Sequence, residues 1–270
     1  MKIIYWGTGA YEAIPAPFCA CSICENARRQ KGREIRTRHS ATIDGVIQLD
    51  ISPDILLQTL NGLNVRSIRC LLVTHGHYDH FDAWRLAIRK PPCALTDLPE
   101  LTVIGNAHVA EQVVNMEAFP QQKINIIETE YFQPVSIDES TVITPLPGNH
   151  AQEIGGCNLY HIVRNGKQLL YAHDSGPFDE EVFRWLSGKR MDAVSLDCAG
   201  ALHGASKTHM NIVSCDETLR RLHDDGSLKS EGIAVYSHFS HDGGATHAQL
   251  EMESESREWT PAYDGMRIDI

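Results

Sequence analysis

The residues best suited to chemistry lie in the segment 75–80, where three histidines and one aspartate fall within six positions. Imidazole nitrogen and carboxylate oxygen are ligands that zinc, manganese and iron take in proteins. His75 and His77 flank a glycine, so an extended loop can turn both rings to one side of a bound ion. Asp79 and His80 would then face a second point. The spacing predicts a metal centre rather than a histidine-rich surface loop.

Further polar residues follow short apolar runs that are typical of buried strands. The run 70–73 precedes the histidine segment, and other runs end shortly before His150, Asp174, Asp197 and His238. Ligands in α/β folds collect at the carboxyl ends of strands, so these side chains are expected to meet at one edge. Asp197 is a candidate for orienting a ligand histidine.

Composition restricts the classes of partner. The chain has 270 residues with 42% hydrophobic content, enough for a full core. The 24 basic residues against 35 acidic ones give a net charge of −11, which argues against nucleic-acid polymers and anionic membranes. The N-terminal apolar run is too short for a signal peptide, and no run reaches the roughly 18 residues of a membrane span. We therefore expect a cytoplasmic protein without membrane contact.

The pattern of elements predicts one domain, 1–270. Asp-Gly at 44–45 and Asn-Gly at 165–166 are hairpin signals, and apolar residues at helical spacing predict a core-facing helix over 212–223. Hairpins mixed with strand–helix units favour an α/β (α+β) fold of two mixed sheets packed together, with helices outside. No low-complexity linker divides the series.

Three local expectations are more specific. We expect a short strand over 93–96 and helical pieces over 98–116. The locally basic segment 33–38 is interpreted as a solvated loop, with a substrate-facing or subunit-facing arm as the alternative.

The motif His75-x-His77-x-Asp79-His80, followed in order by single ligands, resembles the metallo-β-lactamase superfamily. The resemblance implies a four-layer αββα sandwich and two divalent ions, Mn²⁺ or Zn²⁺, with Fe²⁺ as an alternative. It further implies ligands for one ion at His75, His77 and His150, ligands for the other at Asp79, His80 and His238, and a bridging carboxylate at Asp174.

A narrower resemblance, to the PhnP-type cyclic phosphodiesterase subfamily, lies in Cys19-x-Cys21-x-x-Cys24 together with His241. It implies a structural Zn²⁺ held by a cysteine loop at about 15–32. Three thiolates and one imidazole would make a closed tetrahedral site. Reduced surface thiols are the alternative.

His209 matches an additional active-site histidine of the family, which implies contact with phosphate or protonation of the leaving oxygen. From the residues alone, a capping or surface residue is the alternative, and His203 or His173 could take its place or support a ligand. Packing roles are the default for the remaining histidines, namely His39, His108, His161, His223 and His247.

The leading functional hypothesis is a dinuclear metal-dependent hydrolase that cleaves small phosphodiesters, cyclic ones included, through a metal-bridging hydroxide. Asp79 and His209 are the predicted catalytic residues. A lactone- or thioester-cleaving acyl hydrolase with the same centre is one alternative, and a non-hydrolytic metal-binding protein of cofactor biosynthesis is another. The expected partner is a small-molecule phosphodiester, and the resemblance also implies a homodimer.

Overall fold

Two mixed sheets of seven strands form the centre of the described residues, 1–116 and 123–270, in this computed structural model. The first sheet contains, in spatial order, β14 (Arg267–Asp269), β1 (Lys2–Gly7), β2 (Ser40–Ile43), β3 (Ile47–Leu49), β4 (Cys70–Leu72), β5 (Leu101–Gly105) and β6 (Ile124–Glu128). The second contains β13 (Thr260–Pro261), β12 (Leu228–Ser237), β11 (Met191–Asp197), β10 (Lys167–Ala172), β9 (Cys157–Arg164), β8 (Thr141–Gly148) and β7 (Val135–Asp138).

The helices lie between the strands along the chain. They are α1 (Ser22–Gln30), α2 (Ile55–Leu60), α3 (Trp84–Ala87), α4 (Ala107–Val114), α5 (Glu180–Leu186), α6 (Ile212–Asp224) and α7 (His247–Ser254). Among the described residues, no helix has both the length and the apolar character needed to cross a membrane.

The core is layered because each strand alternates its side chains between two faces. Along β10, Leu169 and Tyr171 belong to the apolar cluster between the sheets, whereas Leu170 and Ala172 belong to the cluster that includes residues of α5 and α6. A third cluster packs β4 and β5 against α2, α3 and α4. The result is the predicted αββα sandwich of four layers.

The site lies where parallel strands end together. In the first sheet β3, β4, β5 and β6 run parallel, and in the second β10, β11, β12 and β13 do. The carboxyl ends of parallel strands meet at one edge of a sheet. Each sheet therefore contributes a set of loops at that edge, and the site lies where the two sets meet. The predicted hairpins β2–β3 and β9–β10 are present.

One local prediction is wrong, and a second is confirmed only in part. No strand forms over 93–96. The interval 98–116 contains the helix α4, as predicted, but it begins with the strand β5. Parallel pairing of β5 with both β4 and β6 buries its apolar residues, a tertiary effect that a short apolar run does not show by itself. Strand β7 and helix α7 were not predicted.

The solvated-loop interpretation of 33–38 is also wrong. Arg36 is buried, and its guanidinium donates to Thr8 Oγ1 at 2.7 Å and to the Ala262 carbonyl at 2.6 Å. It also lies over the Phe239 ring, 4.5 Å from the ring centroid. The segment therefore joins three distant parts of the chain.

Candidate metal centre

The first group of ligand atoms, here called the three-histidine cluster, consists of His75, His77, His150 and Asp174. His77 Nδ1 lies 2.9 Å from His75 Nε2 and 3.3 Å from His150 Nε2. Asp174 Oδ2 lies 3.2 Å from His75 Nε2 and 3.4 Å from His150 Nε2. Four donor atoms thus surround one point.

The second group, the two-carboxylate cluster, consists of Asp79, His80, His238 and the same Asp174. His80 Nε2 lies 3.2 Å from Asp79 Oδ2, 3.1 Å from Asp174 Oδ2 and 3.3 Å from His238 Nε2. Asp174 Oδ2 therefore faces both clusters, while Asp174 Oδ1 lies 3.2 Å from His209 Nδ1. The resemblance implied a bridging aspartate, and the structure places one of its oxygens between the clusters.

Sharp turns after the strands place these side chains. The segment 75–80 follows β4, His150 follows β8, Asp174 follows β10 and His238 follows β12. Asp174 and His238 have φ values of 53° and 62°, in the left-handed region that non-glycine residues rarely adopt. Such strain persists where the surroundings fix the conformation, as at ligand sites.

The contacts of the ligand histidines fit metal ions. His80 Nδ1 lies 2.7 Å from Asp50 Oδ2, and His238 Nδ1 lies 2.8 Å from Asp197 Oδ2. Each Nδ1 therefore faces a carboxylate, which leaves the two Nε2 atoms, 3.3 Å apart, as the acceptors for a metal ion. A shared cation satisfies this set of acceptors, and nitrogen and oxygen donors suit Zn²⁺, Mn²⁺ or Fe²⁺.

The pKa values of the cluster residues reflect how closely charged and buried groups are packed at this site. Burial opposes ionisation of Asp174, but His238, His80 and His75 outweigh it and hold its pKa well below the usual range. Burial disfavours charge on His75 and, together with His80, lowers its pKa. His80 is the exception, since Asp79 and Asp50 overcome its burial and raise its pKa well above 6.5.

Asp50 was not predicted. It is fully buried at the end of β3, and it accepts hydrogen bonds from the backbone N–H and the hydroxyl of Thr74 as well as from His80. The rule that polar residues at strand ends collect at the site would have found it. Asp197, considered from the sequence as a residue that orients a ligand histidine, lies 2.8 Å from His238 Nδ1.

His209 lies beside both clusters. Its Nδ1 is 3.2 Å from Asp174 Oδ1 and 3.5 Å from Asp197 Oδ2, and its ring stacks near His238 with centroids 5.9 Å apart. Burial lowers its pKa, but the Asp197 hydrogen bond and the charges of Asp197 and Asp174 raise it to about 9 in the metal-free chain. With Nδ1 engaged, Nε2 is free to meet a ligand.

The alternative histidines take other positions. His203 is exposed and bonds the Asp242 carbonyl, whereas His173 is fully buried and bonds Ser195 Oγ at 2.6 Å. Neither belongs to a donor cluster among the described residues. His39, expected merely to pack, stacks on His173 beneath the centre, with centroids 4.3 Å apart.

The cysteine cluster, Cys19, Cys21, Cys24 and His241, forms as a separate group. His241 Nδ1 lies 3.5 Å from Cys19 Sγ and 3.4 Å from Cys21 Sγ. Burial opposes thiolate formation at Cys21, but hydrogen bonds from the Cys24 backbone and from His241 lower its pKa to about 6. Thiolate is the form that binds metal, so this donor set fits a tetrahedral Zn²⁺.

A cleft of about 410 Å³ opens over the centre. Residues of both clusters and His209 line it, namely His77, Asp79, His150, Asp174, His209 and His238. The other polar side chains of its lining are Tyr11, Glu12, His203, Ser206, Ser240 and Asp242. A small molecule can therefore reach both clusters and His209 at the same time.

Known structures share this architecture. A diphosphatase from the PhnP family has a TM-score of 0.76 at 19% identity, over 99% of this chain and 97% of that one. Zn²⁺-bound PqqB from Methylobacterium extorquens has a TM-score of 0.74 at 20% identity, over the full length of both chains. YhfI from Bacillus subtilis, a metallo-β-lactamase fold protein, has a TM-score of 0.71 at 15% identity, over 99% and 98%.

A match to a sequence model assigns the chain to a family. No curated protein matches it significantly. A sequence model described as the beta-lactamase superfamily domain, however, matches residues 46–239. This range includes every residue of both donor clusters. This match and the donor clusters support the coarser functional prediction, a metal-dependent hydrolase. The chain belongs to the beta-lactamase superfamily.

Proposed function

We propose that the protein is a dinuclear metal-dependent phosphodiesterase that acts on small phosphodiesters. The observation that carries the proposal is the pair of four-donor clusters that share Asp174 Oδ2 at the base of an open cleft. Two closely spaced ions suit in-line displacement at phosphorus, because each end of the displacement has a cation nearby. The predicted cofactors are two ions of Mn²⁺, Zn²⁺ or Fe²⁺ and one Zn²⁺ at the cysteine cluster.

Bound divalent ions would supply a water-derived nucleophile at neutral pH and would stabilise negative charge on the phosphoryl oxygens. His75, His77 and His150 would hold one ion, and Asp79, His80 and His238 the other, with Asp174 shared. Asp79 also lines the cleft, so it would hold its ion within reach of a bound substrate.

His209 is the proposed general acid. Asp174 and Asp197 engage its Nδ1, which fixes the ring and leaves Nε2 to donate a proton to the departing oxygen. The same carboxylates favour the protonated ring that such a step requires. Asp197 acts through both His209 and His238, so it is a positioning residue.

Phosphodiesters are favoured over acyl substrates by two considerations. A proton donor beside two ions suits an alkoxide leaving group, and one similar structure is a diphosphatase of the PhnP family. The net charge of −11 and a cleft of about 410 Å³ favour small substrates over nucleic-acid polymers.

A panel of substrates tests the proposal. We expect protein supplied with Mn²⁺ or Zn²⁺ to hydrolyse bis(p-nitrophenyl) phosphate and 2′,3′-cyclic nucleotides faster than lactones or thioesters. His209→Ala should lower kcat about 100-fold or more on cyclic nucleotides, whose leaving alkoxide needs a proton, and less on the p-nitrophenyl ester. Metal content should stay unchanged in that variant. Faster turnover of lactones, or no diester turnover with any divalent metal, would overturn the assignment.

A further inference from the structure

The two donor clusters differ in how their histidines are supported. In the two-carboxylate cluster, each imidazole Nδ1 lies close to a fully buried carboxylate. His80 Nδ1 donates a hydrogen bond to Asp50 Oδ2 at 2.7 Å, and His238 Nδ1 lies 2.8 Å from Asp197 Oδ2, within ion-pair distance. A carboxylate partner fixes the ring and makes the ligating nitrogen more basic, which strengthens metal binding.

The three-histidine cluster has weaker support. His75 Nδ1 lies 3.1 Å from the uncharged hydroxyl of Thr74. His150 Nδ1 is buried, and none of the described residues hydrogen-bonds to it. Among the described residues, a carboxylate supports the second ring nitrogen of His77 alone, since its Nε2 lies 3.0 Å from Glu153 Oε1.

Ligand charge and burial from solvent also favour cation binding at the two-carboxylate cluster over the three-histidine cluster. The two-carboxylate cluster combines Asp79 with the shared Asp174, while the three-histidine cluster has the shared carboxylate alone. The side chains of His77 and His150 are 36% and 15% exposed, against 0% and 2% for His80 and His238. A divalent cation is therefore attracted more strongly to the deeper, more anionic group.

We propose that the clusters bind their ions with unequal affinity, the two-carboxylate cluster first, and that Glu153 is a positioning residue that sets the affinity of the second ion. This inference rests on the two-ion centre of the proposed function. The three-histidine cluster is then the exchangeable half of the centre, and its occupancy follows the supply of metal.

The segment that carries Glu153 is held in place beside His77. Glu153 lies three residues after His150, so one segment supplies both a ligand and the partner of another ligand. Asn106 Nδ2 anchors the segment by donating to the carbonyls of Ile154 at 3.0 Å and Gly156 at 2.8 Å. Glu153 itself is 67% exposed, so its effect is expected to be moderate.

Calorimetric titration of the metal-depleted full-length chain with Mn²⁺ tests the inference. Mn²⁺ prefers oxygen and nitrogen donors, which keeps the cysteine cluster out of the measurement. We expect two binding steps at least about tenfold apart in affinity. Glu153→Ala should weaken the second step about tenfold and leave the first unchanged, and Glu153→Gln, which keeps an acceptor oxygen, should weaken it less. Asp197→Asn should weaken the first step.

The matched control is Glu139→Ala, which removes an exposed carboxylate at the far end of β8 and should change neither step. Unchanged thermal unfolding of metal-free Glu153→Ala would separate a positioning role from a general loss of structure. Two steps of equal affinity, or a shift of the first step in Glu153→Ala, would overturn the inference and leave the proposed function intact. Binding of fewer than two Mn²⁺ ions would overturn both.

Discussion

The charge and the orientation of individual side chains at the centre depend on the residues that they contact. Asp174 illustrates this, since one carboxylate oxygen serves two clusters and the other meets His209. Asp50 and Asp197 each face the Nδ1 of a neighbouring histidine, which leaves its Nε2 as the nitrogen that can bind a cation. The chemistry of the site therefore depends as much on buried carboxylates behind the ligands as on the ligands.

A histidine far from the centre gives a residue-scale prediction about pH. His161 in β9 is 4% exposed; burial lowers its pKa to about 4, although its hydrogen bond to Gln168 opposes this shift. The unfolded chain protonates this histidine below about pH 6.5, whereas the folded chain does not. The contribution to stability is therefore complete above pH 6.5 and is lost as the pH falls towards 4.

We expect the free energy of unfolding of the wild type to drop between pH 7 and pH 5 by about 2 kcal/mol more than that of His161→Phe. Phenylalanine keeps a ring against Trp185 and removes the titrating group. Urea unfolding of both proteins at the two pH values measures this difference, in which contributions from other groups cancel. Parallel pH profiles would show that His161 does not titrate as argued.

At the scale of elements, the loop after β12 connects two metal sites. His238 belongs to the two-carboxylate cluster, and His241, three residues later, belongs to the cysteine cluster. Ser240 between them donates to Glu12, which lies in the segment leading to the cysteines. An ion at the cysteine cluster would thus hold the loop that carries a ligand of the catalytic centre.

Replacement of one thiolate tests this connection. Cys21→Ser should lose the cysteine-cluster zinc, lower the free energy of unfolding by several kcal/mol and reduce occupancy at the two-carboxylate cluster. Elemental analysis and thermal unfolding measure both effects. Cys93→Ser, at an exposed cysteine outside the clusters, is the matched control. Unchanged metal content in Cys21→Ser would contradict the connection.

At the scale of the whole molecule, the centre belongs to neither sheet alone. The loop after β4 in the first sheet supplies the ligands of segment 75–80, and the loops after β8, β10 and β12 in the second sheet supply His150, Asp174 and His238. Each cluster takes ligands from both sheets. Packing of the sheets therefore assembles the centre, and metal binding should in turn stabilise the packed state.

Sequence patterns predict the parts of this architecture that are local. The hairpins, the helix over 212–223 and the polar residues at strand ends follow from periodicity and turn chemistry. Strand β5 could not be separated from a helix, because the parallel neighbours that bury it are distant in sequence. Glu153 was missed for the same reason, since its partner His77 is 76 residues away.

The most direct test of the account is metal content measured together with hydrolysis of bis(p-nitrophenyl) phosphate, for the wild type and Asp174→Ala. Because Asp174 serves both clusters, the variant should lose both catalytic ions, keep the cysteine-cluster zinc and lose at least about a thousandfold in rate. Asp138→Asn, at the end of β7, should behave like the wild type. Full metal content in Asp174→Ala, or a rate within tenfold of the wild type, would contradict a shared two-ion centre.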